Sequence, residues 1–291
     1  MLNEVPSQQL LHASKAPVLS TDGAFVFEAD PSKSREPLDP TSRVLQRINS
    51  TFDPSEFQDP AQPFSLGKLP RAESLLLRAD FGAPKISDLV VRMRGSQFRV
   101  PRELGQAVPT IKRAANFARR INPRCFDEYY CYVTLQQGWV ERGTAQRPSP
   151  CHVDGLQGAR HQPKVRCNHS FIVSTAAPTV WHVEPVELRH LDDAKHNLFY
   201  EMDRQVKLSN GANAWSPEPN ELVLMDCYCI HQGGLAQRRL WRTFLRISFE
   251  VRIFDHIDNA HNPLFAYDWP LADRHIGKLG LVRWEPENNG G

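Results

Sequence analysis

Hydrophobic and polar positions change character at Pro123. Beyond it the chain breaks into short runs rich in β-branched and aromatic residues, separated by clusters of Gly, Pro and Asn, a pattern that predicts many short strands. The runs are DEYYCYVTLQQ (127 to 137), the CHVD region (151 to 154), SFIVST (170 to 175), TVWHVE (179 to 184), RQVKLS (204 to 209), ELVLMD (221 to 226), CIHQ (229 to 232) and WRTFLRISFEVRIF (241 to 254). No helical run alternates with them, so a jelly roll is favoured over a parallel α/β sheet. Upstream, TIKRAANFARRIN places Ile111, Ala114, Ala115, Ala118 and Ile121 at helical spacing and leaves a basic face opposite. Residues 29 to 70 carry Pro31, Pro37, Pro40, Pro54, Pro60, Pro63 and Pro70, which predicts an extended arm or a set of loops. The expected organisation is an irregular arm over 1 to 70 and one β-rich domain with flanking helices, α+β overall, over 71 to 291.

Composition refines this little. The 291 residues suit one large domain, and 41% hydrophobic with 23% charged residues lies near the average for globular proteins. No apolar run has bilayer length, and the first thirty residues lack the charged start and apolar stretch of a signal peptide, so the cytoplasm is the expected location. Six cysteines without CxxC spacing argue against a disulfide framework and against structural zinc. A net charge of +2 does not call for a polyanionic partner. One stretch, Arg92 to Arg124, is strongly basic, with Glu103 its single acid. A solvated helix face accounts for it better than nucleic acid does; a carrier protein or an anionic substrate is the remaining use. Oligomeric state is not encoded in any of these features.

The chemistry begins with His152 and Asp154, because a strand sends residues i and i+2 to the same side. Two imidazoles and one carboxylate leave open positions on an octahedral ion, the facial arrangement of non-haem Fe(II) oxygenases. The His-x-acid pattern recurs at His182-Val-Glu184, His190-Leu-Asp192 and His256-Ile-Asp258, so spacing decides. In a jelly roll four strands separate the first ligand pair from the last His, which takes at least ~50 residues. His152 to His231 spans four strand patterns, whereas His182 and His190 fall short and nothing strand-like follows His256. Beyond His231 two glycines turn the chain into a strand whose alternate positions are Arg242, Arg246 and Ser248. A dicarboxylate chelating the metal at one end needs a cation for its far carboxylate, and guanidinium pairs with it bidentately. The plainer alternative makes Arg242, Arg246, Glu250 and Arg252 the solvent face of a half-buried strand. On the strand before the ligands Tyr130, Tyr132, Thr134 and Gln136 share one face, either as partners of the co-substrate or a ligand, or as half-buried packing residues.

HVDG, IHQGG and WRTFLRIS together resemble the HxD…H…R signature of the Fe(II)/2-oxoglutarate-dependent dioxygenase superfamily, over residues 127 to 254. The resemblance implies a double-stranded β-helix (the cupin-like jelly roll) and Fe(II) on His152, Asp154 and His231. It further implies 2-oxoglutarate as co-substrate with O2, and an arginine on the last strand for the co-substrate's far carboxylate. Similarity to the taurine-dioxygenase-like and phytanoyl-CoA-hydroxylase-like branches puts that arginine at Arg242, with Arg246 for a substrate acid. An R-x-S element, as in plant-type branches, would instead use Arg246 and Ser248. The implied reaction is hydroxylation of an unactivated C–H with release of succinate and CO2. Asp154 disfavours halogenation, whose relatives lack the carboxylate. The expected substrate is a small amino-acid-derived or peptide-like metabolite; a nucleic-acid or carrier-bound substrate and a zinc-dependent hydrolase are the alternatives, and the arginines disfavour the last.

Overall fold

The computed structural model describes residues 18–21, 23–147, 150–154, 165–192 and 195–273. Its strands are β1 (Val18–Leu19), β2 (Ala24–Phe27), β3 (Phe64–Lys68), β4 (Lys85–Arg92), β5 (Phe98–Pro101), β6 (Tyr130–Val140), β7 (His169–Ser174), β8 (Val180–His182), β9 (Ala214–Trp215), β10 (Glu221–Asp226), β11 (Ile230–Gln232) and β12 (Leu240–Glu250). The helices are α1 (Arg43–Arg47), α2 (Arg71–Arg78), α3 (Val108–Ile121), α4 (Cys125–Glu128) and α5 (Leu198–Leu208).

From residue 130 to 250 the chain passes repeatedly between two antiparallel sheets. β6, β12, β7 and β10 are neighbours in a six-stranded sheet of order β3-β10-β7-β12-β6-β4. β11, β8 and β9 form the opposing sheet, and an isolated bridge from His152 to His231 adds residues 150 to 154 to its edge. Eight strand segments alternating in this way are a double-stranded β-helix, as the sequence predicts. The structure is mostly strand and loop, with few helices.

One face of the large sheet is apolar and covered. Phe171, Ile247 and Phe249 point to α3 and α4, where Phe117 meets Phe171 edge-on at 6.1 Å and Phe126 stacks on Phe249 at 6.0 Å. α3 forms where helical spacing predicts, with Pro109 in its first turn, where the missing N–H costs nothing. Its basic face is consumed internally. Arg113 pairs with Glu36 and Glu73, both at 2.8 Å, and Arg120 and Arg119 donate to the carbonyls of Glu36 and Ala29. These cations tie the proline-rich arm to the domain.

The described part of the arm is short pieces, and β3 at its end joins the large sheet beside β10. RQVKLS is a correction: it lies in α5 and not in a strand. Leu198, Phe199, Met202 and Val206 bury one helical face, and the Asn197 side chain accepts from the Phe199 N–H as cap. The local alternation around Val206 and Leu208 imitated a strand, but Leu208 is largely exposed. The strand count between the ligands still stands at four because β9 takes the vacant place. All six cysteines are buried and free of disulfides. No helix among the described residues is long and apolar enough to cross a membrane.

Candidate metal centre

His152 and His231 are antiparallel neighbours at the edge of the small sheet. Each backbone N–H donates to the other's carbonyl, at 3.0 and 2.8 Å, and the ring centroids are 4.5 Å apart. Each ring also places Nδ1 3.0 Å from the carbonyl two residues back, that of Pro150 or Cys229. A carbonyl only accepts, so both Nδ1 atoms carry the proton and both Nε2 lone pairs are left for a metal. Asp154 stands two residues after His152, its Oδ1 3.9 Å from His231 Nε2. One donor atom from each of the three side chains falls within 4.8 Å of the others, and this is the sole such cluster among the described residues. The rejected pairs at His182, His190 and His256 contribute nothing to it.

The protonation states suit a divalent cation. Burial alone would raise the Asp154 carboxyl, but Arg246, then His231, His152 and Arg147, outweigh it and hold it well below the ordinary carboxylate range. Burial, then the adjacent His152, pushes His231 down to about 4. Near neutral pH the site therefore offers a neutral imidazole and an ionised carboxylate, the forms that ligate metal.

The two candidate arginines lie on the inner face of β12, because residues 242, 244, 246 and 248 alternate with the apolar outer ones. Arg246 donates through Nη1 to Asp154 Oδ2 at 2.6 Å and through Nη2 to Asp88 Oδ1 at 2.8 Å. Those carboxylates raise its pKa against the effect of burial. Arg242 is 1% exposed, and its hydrogen-bond partners among the described residues are all neutral. It donates to Gln146 Oε1 at 2.6 Å, Ser174 Oγ at 2.9 Å and the carbonyls of Ala176 and Ala177 at 3.0 and 3.1 Å. Burial, then Arg147, pushes it down to about 9. Neither arginine belongs to a solvent face, and Glu250 is buried too, so the plainer reading of this strand is overturned.

Sequence reasoning missed Asp88. It sits at an irregularity of β4, between Ile86 and Leu89, with φ 44°. That left-handed backbone is unusual for a non-glycine residue. The irregularity turns the carboxylate inward, where Thr134 Oγ donates to it at 2.6 Å. Of the four residues on the inner face of β6, Thr134 thus reaches the ligand network. Tyr132 stacks on Phe254 at 4.2 Å and donates to the Arg252 carbonyl. Tyr130 lies under Arg94, and Gln136 donates to the Gln146 carbonyl. Beside Asp154 and Arg246 opens a cavity of about 300 Å³, lined among others by Lys85, Asn168, Ser170, Ser248 and Phe254.

No family model and no curated protein matches the chain. Solved structures do. EctD from S. alaskensis in its apoform is 15% identical, with 87% of this chain and 95% of that one covered at a TM-score of 0.43. EvdO2 from Micromonospora carbonacea var. aurantiaca, complexed with 2-oxoglutarate, is 15% identical over 70% of this chain and 93% of that one at 0.37. EvdMO1 is 14% identical at 0.36; 71% of this chain is covered, which spans about half, 49%, of that protein. At such overlap the strand topology described above carries the fold assignment. That topology is the double-stranded β-helix that the sequence predicts.

Proposed function

We propose that the protein is a non-haem Fe(II)/2-oxoglutarate-dependent oxygenase in which His152, Asp154 and His231 hold the iron. The observation that carries this reading is the convergence of two Nδ1-locked imidazoles and one Arg246-oriented carboxylate within 4.8 Å. Three ligands on one side of an octahedral ion leave positions for a chelating co-substrate and for dioxygen. Iron and 2-oxoglutarate, when bound, supply oxidative decarboxylation to succinate and CO2, with one oxygen atom of O2 going into succinate and the other into a substrate C–H.

The chain's own residues divide the remaining work. Arg246 fixes the rotamer of the Asp154 carboxylate and leaves Oδ1 turned towards His231. Asp88 and Thr134 hold Arg246 in place from the other side. Arg242, a buried cation with no carboxylate partner among the described residues, is the seat for the far carboxylate of the co-substrate. The main substrate enters the cavity beside Asp154. Lys85, Arg246 and Asp88 give its wall charges of both signs, which suits a small amino-acid-derived metabolite. Against a zinc hydrolase stands the commitment of the two carboxylates nearest the centre, Asp88 and Asp154, to Arg246.

The test is turnover without a known substrate. Purified protein with Fe(II), 2-oxoglutarate and O2 should form succinate slowly, and hydrolysis of generic esters by the zinc-loaded form should be absent. Zinc-dependent hydrolysis without succinate formation would overturn the reading.

A further inference from the structure

A third guanidinium points into the same interior, and neither motif nor periodicity marks it. Arg147 lies in the connection between β6 and the first ligand. Its guanidinium carbon is 5.0 Å from the centre of the Phe244 ring, and that of Arg242 is 5.2 Å from the same ring. The backbone that carries Arg147 is fixed on both sides. Gln146 accepts from Arg242 Nη1 and donates back to the Arg242 carbonyl at 3.4 Å, while the Arg147 carbonyl packs on Gly233, where an added Cβ would come within 2.4 Å of it. Among the described residues Arg147 makes no hydrogen bond and no ion pair with a carboxylate. Burial, then Arg246, depresses its pKa, and the more weakly acting Asp154 and Asp88 do not offset them. Three guanidiniums, Arg147, Arg242 and Arg246, thus share the interior with two carboxylates, Asp88 and Asp154, and both of those are spent on Arg246. Two guanidiniums on one aromatic ring, neither hydrogen-bonded to a carboxylate among the described residues, repel each other, and an anion between them removes that repulsion.

We propose that Arg147 is a second co-substrate-binding residue, which with Arg242 grips the far carboxylate of the 2-oxo dicarboxylate against Phe244. This rests on the reading of the site as an iron/2-oxoglutarate centre and adds a residue to it. The Gly233 contact then acquires a purpose, since any side chain there would push Arg147 off the ring.

The experiment titrates Fe(II)-loaded protein anaerobically with 2-oxoglutarate, and separately with 2-oxopentanoate, which chelates metal but has no far carboxylate. Dissociation constants come from the visible absorption of the chelate. Arg147→Gln should weaken 2-oxoglutarate roughly tenfold to a hundredfold, the range for a lost charged hydrogen bond, and leave 2-oxopentanoate unchanged. Arg147→Lys, which keeps a point charge, should recover most of the loss. Folding is monitored by melting temperature, and the Lys variant supplies the comparison if the Gln variant is unstable. Equal weakening of both 2-oxo acids, or of neither, would overturn the assignment of Arg147. If the wild-type protein bound neither acid at full iron loading, the functional reading itself would fail, a distinguishable outcome.

Discussion

Arg242 and Arg246 stand four residues apart on one face of β12, in opposite electrostatic conditions. Arg246 is balanced twice over, by Asp154 at 2.6 Å and Asp88 at 2.8 Å. Arg242 is as deeply enclosed and, among the described residues, has only an amide, a hydroxyl and two carbonyls as acceptors. A balanced guanidinium is a positioning device, because its donors are already committed. An enclosed one facing only neutral acceptors has lost its hydration without gaining a counter-ion, and is stabilised when an anion arrives. On the proposed reading the difference divides two tasks that the strand alternation alone left open between these residues.

The contrast is broken most severely by removing what Arg246 positions. Asp154→Ala or His231→Ala should lower iron affinity more than ~100-fold, beyond what outer partners of a metal typically contribute. Equilibrium metal binding checks this, with circular dichroism to confirm folding. Next in size is Arg242→Ala, which should weaken 2-oxoglutarate about a hundredfold while leaving iron affinity unchanged. Arg246→Ala should give the reverse profile: iron affinity down roughly tenfold, the lower end of the range for residues that orient a ligand, and little change in 2-oxoglutarate affinity once metal is saturating. If Arg246→Ala carried the co-substrate defect and Arg242→Ala behaved as wild type, the R-x-S alternative with Ser248 would replace the present assignment.

The smallest effect on the centre itself belongs to the outer face of the same sheet. His169 is buried against Phe249 at 5.0 Å, without a hydrogen-bond partner among the described residues, and burial pushes its pKa down to about 3 from 6.5. A depressed folded-state pKa means that the unfolded chain takes up a proton below pH 6.5 that the folded chain refuses. Stability present above that pH is therefore lost as pH falls towards 3, by up to ~1.4 kcal/mol per unit. His169→Phe should flatten the acid limb of the stability curve and leave iron and 2-oxoglutarate binding alone. An unchanged acid limb would show that His169 finds a partner.

Much of this was legible in the sequence because it depends on spacing. ELVLMD became β10 residue for residue, α3 appeared within two residues of its predicted start, and the pattern of His152, Asp154 and His231 was selected by counting strands. RQVKLS failed because a six-residue window cannot distinguish one turn of α5 from a strand, and the apolar residues that decide it, Leu198, Phe199 and Met202, lie upstream. Asp88 was hidden for a physical reason: its role depends on a backbone irregularity that reverses the facing of a strand residue. Arg147 lies in a connection without periodicity, so only its three-dimensional neighbours identify it.

The most direct measurement is the absorption of the anaerobic protein in the presence of Fe(II) and 2-oxoglutarate. A weak visible charge-transfer band should appear on addition of 2-oxoglutarate to the wild type, remain attainable at higher concentration in Arg242→Ala, and be absent in His231→Ala. A wild-type protein that is fully loaded with iron and gives no band at saturating 2-oxoglutarate would contradict the assignment of this centre.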